Sequence, residues 1–146
     1  MPRTLDDLLD AARAKLERLT PRQALEAAAG GALLVDTRSE RDRDRSGVAF
    51  GSVHIPLSVL EWRVAPDSEW RNPHLGPPGR KLVLICAHGY SSSLAAARLV
   101  DLGLDATDVI GGFDAWSADG LPAVAPSQVQ GDGELPGMDG PEPRSR

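Results

Sequence analysis

Lys81-Leu82-Val83-Leu84-Ile85-Cys86-Ala87-His88-Gly89-Tyr90-Ser91-Ser92 is the stretch on which the fold turns. Its first half is a continuous apolar run after Pro77-Pro78-Gly79, the pattern of a strand buried on both faces of a parallel sheet. The run ends on Cys86, and the residues after Gly89 turn into a helix, with Ser91 to Ser93 opening it, Leu94 to Val100 forming its body and Gly103 stopping it. In open α/β sheets the carboxyl ends of the strands are where ligands bind. The first NH groups of the following helix point unpaired donors into such a loop. A cup of NH groups stabilises an anion, the thiolate included, and a helix N-terminus lowers a Cys pKa from about 8.5 to roughly 3.5–7.5. The competing reading of Cys86 is a small buried hydrophobe that finishes a core strand, the usual place of a free cysteine.

Outward from this segment, Ala32-Leu33-Leu34-Val35 repeats the fully buried strand pattern after the Gly30-Gly31 pair. Thr4 to Leu19 reads as an amphipathic helix, with Leu5, Leu8, Leu9, Ala12, Leu16 and Leu19 on one face and Asp6, Asp7, Arg13, Lys15 and Glu17 turned away. A second helix starts at Thr20, with Pro21 at its first position and Gln23 completing a capping box. Ser39 to Ser46 reads as charged and irregular, Val53 to Pro56 as a short apolar segment, Ser58 to Trp62 as the opening of a short helix, and Ala65 to Gly79 as loop. A last strand around Thr107 to Ile110 leads through Gly111-Gly112 to one or two helical turns over Phe113 to Ala118. Strands alternating with helices predict an α/β domain around a mostly parallel sheet. The expected division is an N-terminal helix over 1–19, a domain over 20–124 and a disordered tail over 125–146, where Gly, Pro, Ser and acids run without periodicity.

The chain has 146 residues, enough for one domain that holds its core without disulfides or a structural metal. Its 16 Lys and Arg against 21 Asp and Glu give a net charge of −5, which argues against a general nucleic-acid binder. One Cys excludes an internal disulfide, a Cys-rich zinc site and a two-thiol redox pair, and His54, His74 and His88 show no metal-ligand spacing. The longest apolar run, Leu82 to Ala87, falls far short of the roughly 20 residues of a membrane helix, and no export signal is visible. A sole thiol in such a chain is expected in the reducing cytoplasm.

Four stretches, in order, resemble the rhodanese-like domain family. Leu34-Val35-Asp36-Thr37-Arg38 is similar to the family's strand ending in Asp-x-Arg. Gly47 to Pro56 is similar to its Gly-His-Ile-Pro-Gly-Ala-x-Asn-Ile-Pro segment, with Val48, Ala49, Phe50, Ser52 and His54 replacing the His, Ile, Pro, Ala and Asn. Cys86 to Ser92 stands in the place of the active-site loop. Val109-Ile110-Gly111-Gly112-Phe113-Asp114-Ala115-Trp116, followed by Gly120-Leu121-Pro122, is the most specific match. The resemblance implies a five-stranded mostly parallel sheet with helices on both faces. It also implies a Cys86 that accepts a sulfane sulfur as persulfide and passes it to a nucleophile, with no cofactor. The donor would be thiosulfate, a polysulfide or a persulfide, and the acceptor cyanide, an external thiol or a partner protein, since the chain has no second Cys.

Thiosulfate is a dianion, and a site using it needs positive charge beside the thiol. Many family members that use it carry Cys-Arg-x-Gly-x-Arg, whereas Ala87 and Ser91 stand at those arginine places. The loop then offers backbone NH groups, the hydroxyls of Ser91 and Ser92, and His88. Arg38, on the loop after the first core strand, and Arg63, after Val59-Leu60-Glu61-Trp62, are the candidate outside cations; for Arg63 a solvated surface position is the alternative. Asp36 is expected to accept hydrogen bonds and hold the active loop in shape. His88 is either a loop residue or a proton carrier, Tyr90 either covers the sulfur or packs as wall, and Trp116 belongs to the core.

Two rivals stand beside sulfur transfer. A cysteine-based phosphatase or arsenate reductase needs Cys-x5-Arg to clamp the oxyanion, and Ser92 occupies that arginine's place. A non-catalytic interaction or regulatory module is the other, since fold does not imply function; retention of Cys86 favours chemistry.

Overall fold

The computed structural model describes residues 3–72 and 75–128. His74 and most of the expected tail, 129–146, lie outside the described residues. The elements are α1 (Leu5–Arg13), α2 (Pro21–Ala29), β1 (Leu33–Asp36), α3 (Glu40–Ser46), β2 (Val48–Ala49), β3 (Val53–His54), a 3-10 turn over Leu57–Val59, α4 (Leu60–Val64), β4 (Leu82–Ile85), α5 (Ser91–Asp101), β5 (Ala106–Asp108), α6 (Gly112–Ala118), β6 (Ala123–Val124) and a final 3-10 turn over Pro126–Gln128. No helix among the described residues is long and apolar enough to cross a membrane.

β1 and β4 are buried at every position, as their unbroken apolar runs require. They pair in parallel in the order β3-β1-β4-β5. Side chains alternate across the sheet: Leu33, Val35, Leu82 and Leu84 pack with Leu60, Val64, Ala95, Ala96 and Leu99. Leu34, Val83 and Ile85 pack on the other face with Ala24, Phe113 and Trp116. Helices α4 and α5 thus cover one face, α2 and α6 the other.

Three expectations need correction. The implied five-stranded sheet has four parallel strands, and the fifth place, beyond β5, is held by a single parallel bridge between Leu19 and Val109. That bridge explains why the helix expected over 4–19 stops at Arg13. Residues 14 and 15 turn the chain, and Leu19 then donates to Asp108 O at 3.1 Å and accepts from Ile110 N at 2.8 Å. Leu16 and Leu19 continue the helical spacing by coincidence; each packs on the opposite face of the sheet. The charged stretch after Ser39 forms α3, capped by the Ser39 hydroxyl, which accepts from Asp42 N at 3.2 Å. Its only buried residue is Arg43, so no apolar stripe announces it. Ala123 and Val124, the last residues of the expected domain, pair antiparallel with Ala49 and Val48.

Candidate functional site

β4 delivers Cys86 to the carboxyl edge of the sheet, where it is 5% exposed and unpaired by any disulfide. Two glycines make the surrounding loop feasible. Gly89 has φ +84, and a Cβ there would stand 2.7 Å from Gly111 N; Gly112 has φ +61, and a Cβ there would meet Cys86 O at 2.5 Å. The backbone of 111–112 thus lies flat against the turn 86–89, which is the physical content of the Gly-Gly signature. Phe113 N and Asp114 N then donate to Cys86 O and Ala87 O at 2.8 and 3.1 Å, so the start of α6 pins the loop.

Around the sulfur, Gly89 N donates to Sγ at 3.1 Å and the thiol donates to Ser92 Oγ, also at 3.1 Å. Burial raises the thiol's pKa, but hydrogen bonding with Ser92, Ser91 and Gly89 outweighs it and leaves the pKa below the ordinary thiol value. The arrangement supplies a buried nucleophile at a helix N-terminus, with the Gly89 NH directed at it.

Ser92 itself donates to Asp108 Oδ2 at 2.8 Å, and Ser93 donates to the same oxygen at 2.7 Å. Asp108, at the end of β5, is fully buried. Its counter-ion comes from the N-terminal segment: Arg18 Nε lies 2.8 Å from Oδ1, and Arg18 NH2 reaches Oδ2 at 3.2 Å and Gly89 O at 3.0 Å. Arg13, from the last turn of α1, donates to Gly89 O at 2.9 Å and to Ser93 Oγ at 3.1 Å, and stands 5.7 Å from the centre of the Tyr90 ring. The sequence reading missed Arg13, Arg18, Ser93 and Asp108. The helical spacing turns Arg13 to the outward face, whereas its guanidinium reaches Gly89 and Ser93. Asp108 did carry a signal, because an acid within a buried strand requires partners.

The cations anticipated from the sequence lie elsewhere. Arg38 is 6% exposed, and its guanidinium grips Asp36 at 3.0 and 2.8 Å, donates to Gly47 O at 2.8 Å and stacks 4.3 Å from the centre of the Phe113 ring. It is thus engaged within the scaffold, not presented to the thiol. Asp36 also accepts from Arg38 N and receives Arg43 Nε at 3.5 Å; it braces the turn after β1 and reaches the loop only indirectly, through Arg38 and Phe113. Arg63 donates to Trp70 O at 3.0 Å. Trp70 lines an open cleft of about 420 Å³ with Glu61, Trp62, Ala65 and Leu102, and Leu102 caps the end of α5 opposite to the Cys86 loop. Arg63 is thus held to the segment that borders this cleft. His88 points outward to Asp114 Oδ2 at 2.6 Å, with both side chains well exposed. Tyr90 is 61% exposed and sits on the loop's rim beside Arg13. Trp116 is fully buried, and its Nε1 donates to Pro122 O at 2.9 Å.

A profile of the Rhodanese-like domain matches residues 20–119. The chain is 39% identical over 103 residues to "Thiosulfate sulfurtransferase GlpE" of Pseudomonas syringae, an alignment spanning 70% of this chain and 88% of that protein. Among solved structures, a Rhodopseudomonas palustris protein described as of unknown function, "possible tyrosine phosphatase", superposes with a TM-score of 0.77 at 32% identity, covering 85% of this chain and 96% of the other. A rhodanese-related protein of Thermoplasma volcanium gives a TM-score of 0.60 at 28% identity, covering 74% and 97%.

Proposed function

Because the chain belongs to the rhodanese-like domain family, we propose that it is a sulfurtransferase in which Cys86 carries the moving sulfur. The observation that supports this most directly is the environment of Sγ: a helix N-terminus, the Gly89 NH and the Ser92 hydroxyl, each of the last two at 3.1 Å. The thiolate attacks the outer sulfur of a sulfane donor, a new S–S bond forms, and the donor's S–S bond breaks. With thiosulfate the electron pair of that bond leaves on sulfite, and the enzyme is left as the Cys86 persulfide. Cyanide or an external thiolate then attacks the outer sulfur and departs as thiocyanate or as its own persulfide, with the Cys86 thiolate restored. NH donors of the loop face the negative charge in each step. The chemistry requires a reduced thiol at the start, which suits the cytoplasm.

Thiosulfate enters as donor through kinship with proteins named for it. Within the loop, Ala87 and Ser91 bring no side-chain cation, and Arg13 and Arg18 stand behind the Gly89 carbonyl. Less highly charged donors, a polysulfide or a persulfidated thiol, suit that electrostatics equally. A phosphatase would need a guanidinium where Ser92 stands, and the Ser92 hydroxyl is bound to Asp108.

The test is thiosulfate-to-cyanide sulfur transfer by wild type and Cys86→Ser, with intact mass measured after donor exposure. Turnover and a one-sulfur adduct, both abolished by the substitution, are expected. An adduct without turnover would mean a different acceptor; absence of both, with thiosulfate and with polysulfide, would overturn the enzyme reading in favour of an interaction module.

A further inference from the structure

The segment that precedes the family match contributes two side chains to the active loop, and their placement is specific. Arg18 engages both oxygens of Asp108, and Asp108 accepts the proton of the hydroxyl that receives the Cys86 thiol. The carboxylate is therefore separated from the sulfur by one serine oxygen. A bare carboxylate so close, in a fully buried position, opposes formation of a second negative charge on sulfur. Arg18 neutralises it. Arg13 adds a second cation on Gly89 O and orients Ser93, the other hydroxyl on Asp108.

We propose that Arg18, supported by Arg13, is a positioning residue of this site: by neutralising Asp108 and fixing its two serines, the segment before the domain sets the electrostatic condition of the Cys86 thiol. The inference rests on Cys86 being the reacting group, as proposed above. Other charged groups near the loop occupy different positions. His88 and Asp114 pair with each other at the exposed rim, and Arg38, with Asp36 and Arg43, lies behind Phe113. Tyr90 is at the rim beneath Arg13. Among the described residues, Asp108 is the acid that is hydrogen-bonded to a direct partner of the sulfur, and Arg13 and Arg18 are the cations on the other partner, Gly89.

The readout is the pH dependence of Cys86 alkylation by iodoacetamide on the full chain, which follows the thiolate whichever reaction it serves. Arg18→Met leaves the carboxylate uncompensated, so the midpoint rises by about one pH unit and alkylation at neutral pH slows several-fold; Arg18→Lys restores most of the loss. Asp108→Asn removes the opposing charge and moves the midpoint the other way. The double variant Arg18→Met/Asp108→Asn returns it close to wild type. A merely structural role predicts that both single substitutions loosen the loop and shift the midpoint upward together. That result, or midpoints indistinguishable from wild type, overturns the proposal. Should Arg18→Met fail to fold, the opposite-signed shift in Asp108→Asn and the near-wild-type midpoint of Arg18→Lys carry the test. Sulfur transfer is measured on the same samples: opposite shifts in alkylation without turnover would sink the sulfurtransferase reading and leave the positioning role standing.

Discussion

Two buried aspartates end two parallel strands, and each holds an arginine by both oxygens: Asp36 with Arg38 at the end of β1, Asp108 with Arg18 at the end of β5. The first pair spans two positions in the chain and the second spans 90. Asp36 is surrounded by scaffold, with Arg43 at 3.5 Å and a guanidinium that continues onto Phe113. Asp108 faces the chemistry, with Ser92 between it and the sulfur. Similar ion pairs at the same edge of one sheet therefore do different work, and what separates them is what lies on the free side of the carboxylate.

The largest effect expected is on stability at the first pair. Asp36→Asn strands two buried guanidiniums and should cost about 3–5 kcal/mol in urea unfolding. In the folded fraction the alkylation midpoint of Cys86 stays where it is in wild type. A shift comparable to that of Arg18→Met would erase the distinction between the two pairs. A smaller effect ties the thiol to folding. Its folded pKa lies below the ordinary value, so the thiolate is favoured in the native state, and the resulting stability is fully present above the unfolded thiol's pKa of about 8.5. That contribution is lost as pH falls through the folded value, with a slope of no more than about 1.4 kcal/mol per pH unit between the two. Chemical unfolding across this window should show the slope in wild type, a shortened window in Arg18→Met and none in Cys86→Ser. The smallest effect belongs to the exposed pair of His88 and Asp114. His88→Ala should change stability by less than about 0.5 kcal/mol and leave the alkylation profile unaltered; a displaced profile would make His88 a partner of the sulfur.

The same contrast shows what was legible in the sequence. β1, β4, the capping box at Thr20 and the thiol at a strand's end are encoded within a few residues each, and they stand where the pattern puts them. Asp36 and Arg38 could be read together because their contact is local, although their inward orientation could not. Arg18 and Asp108 meet only after the sheet has assembled, and no window of sequence contains both. The helix over 4–19 failed for a related reason: its spacing suits a helix throughout, but sheet pairing by Leu19 overrides local preference beyond Arg13. α3 was invisible because a helix buried through a single arginine has no apolar period.

The single bridge at Leu19 also bears on solubility. β5 is one of the two outer strands of the parallel sheet, and the backbone of Leu19 occupies hydrogen-bonding groups of Asp108 and Ile110 that would otherwise face solvent. An open edge of this kind is a template for pairing with another chain. The segment that places a guanidinium beside Asp108 thus also guards the β5 edge against edge-to-edge self-association, and a chain trimmed to the span of the family match would surrender both at once.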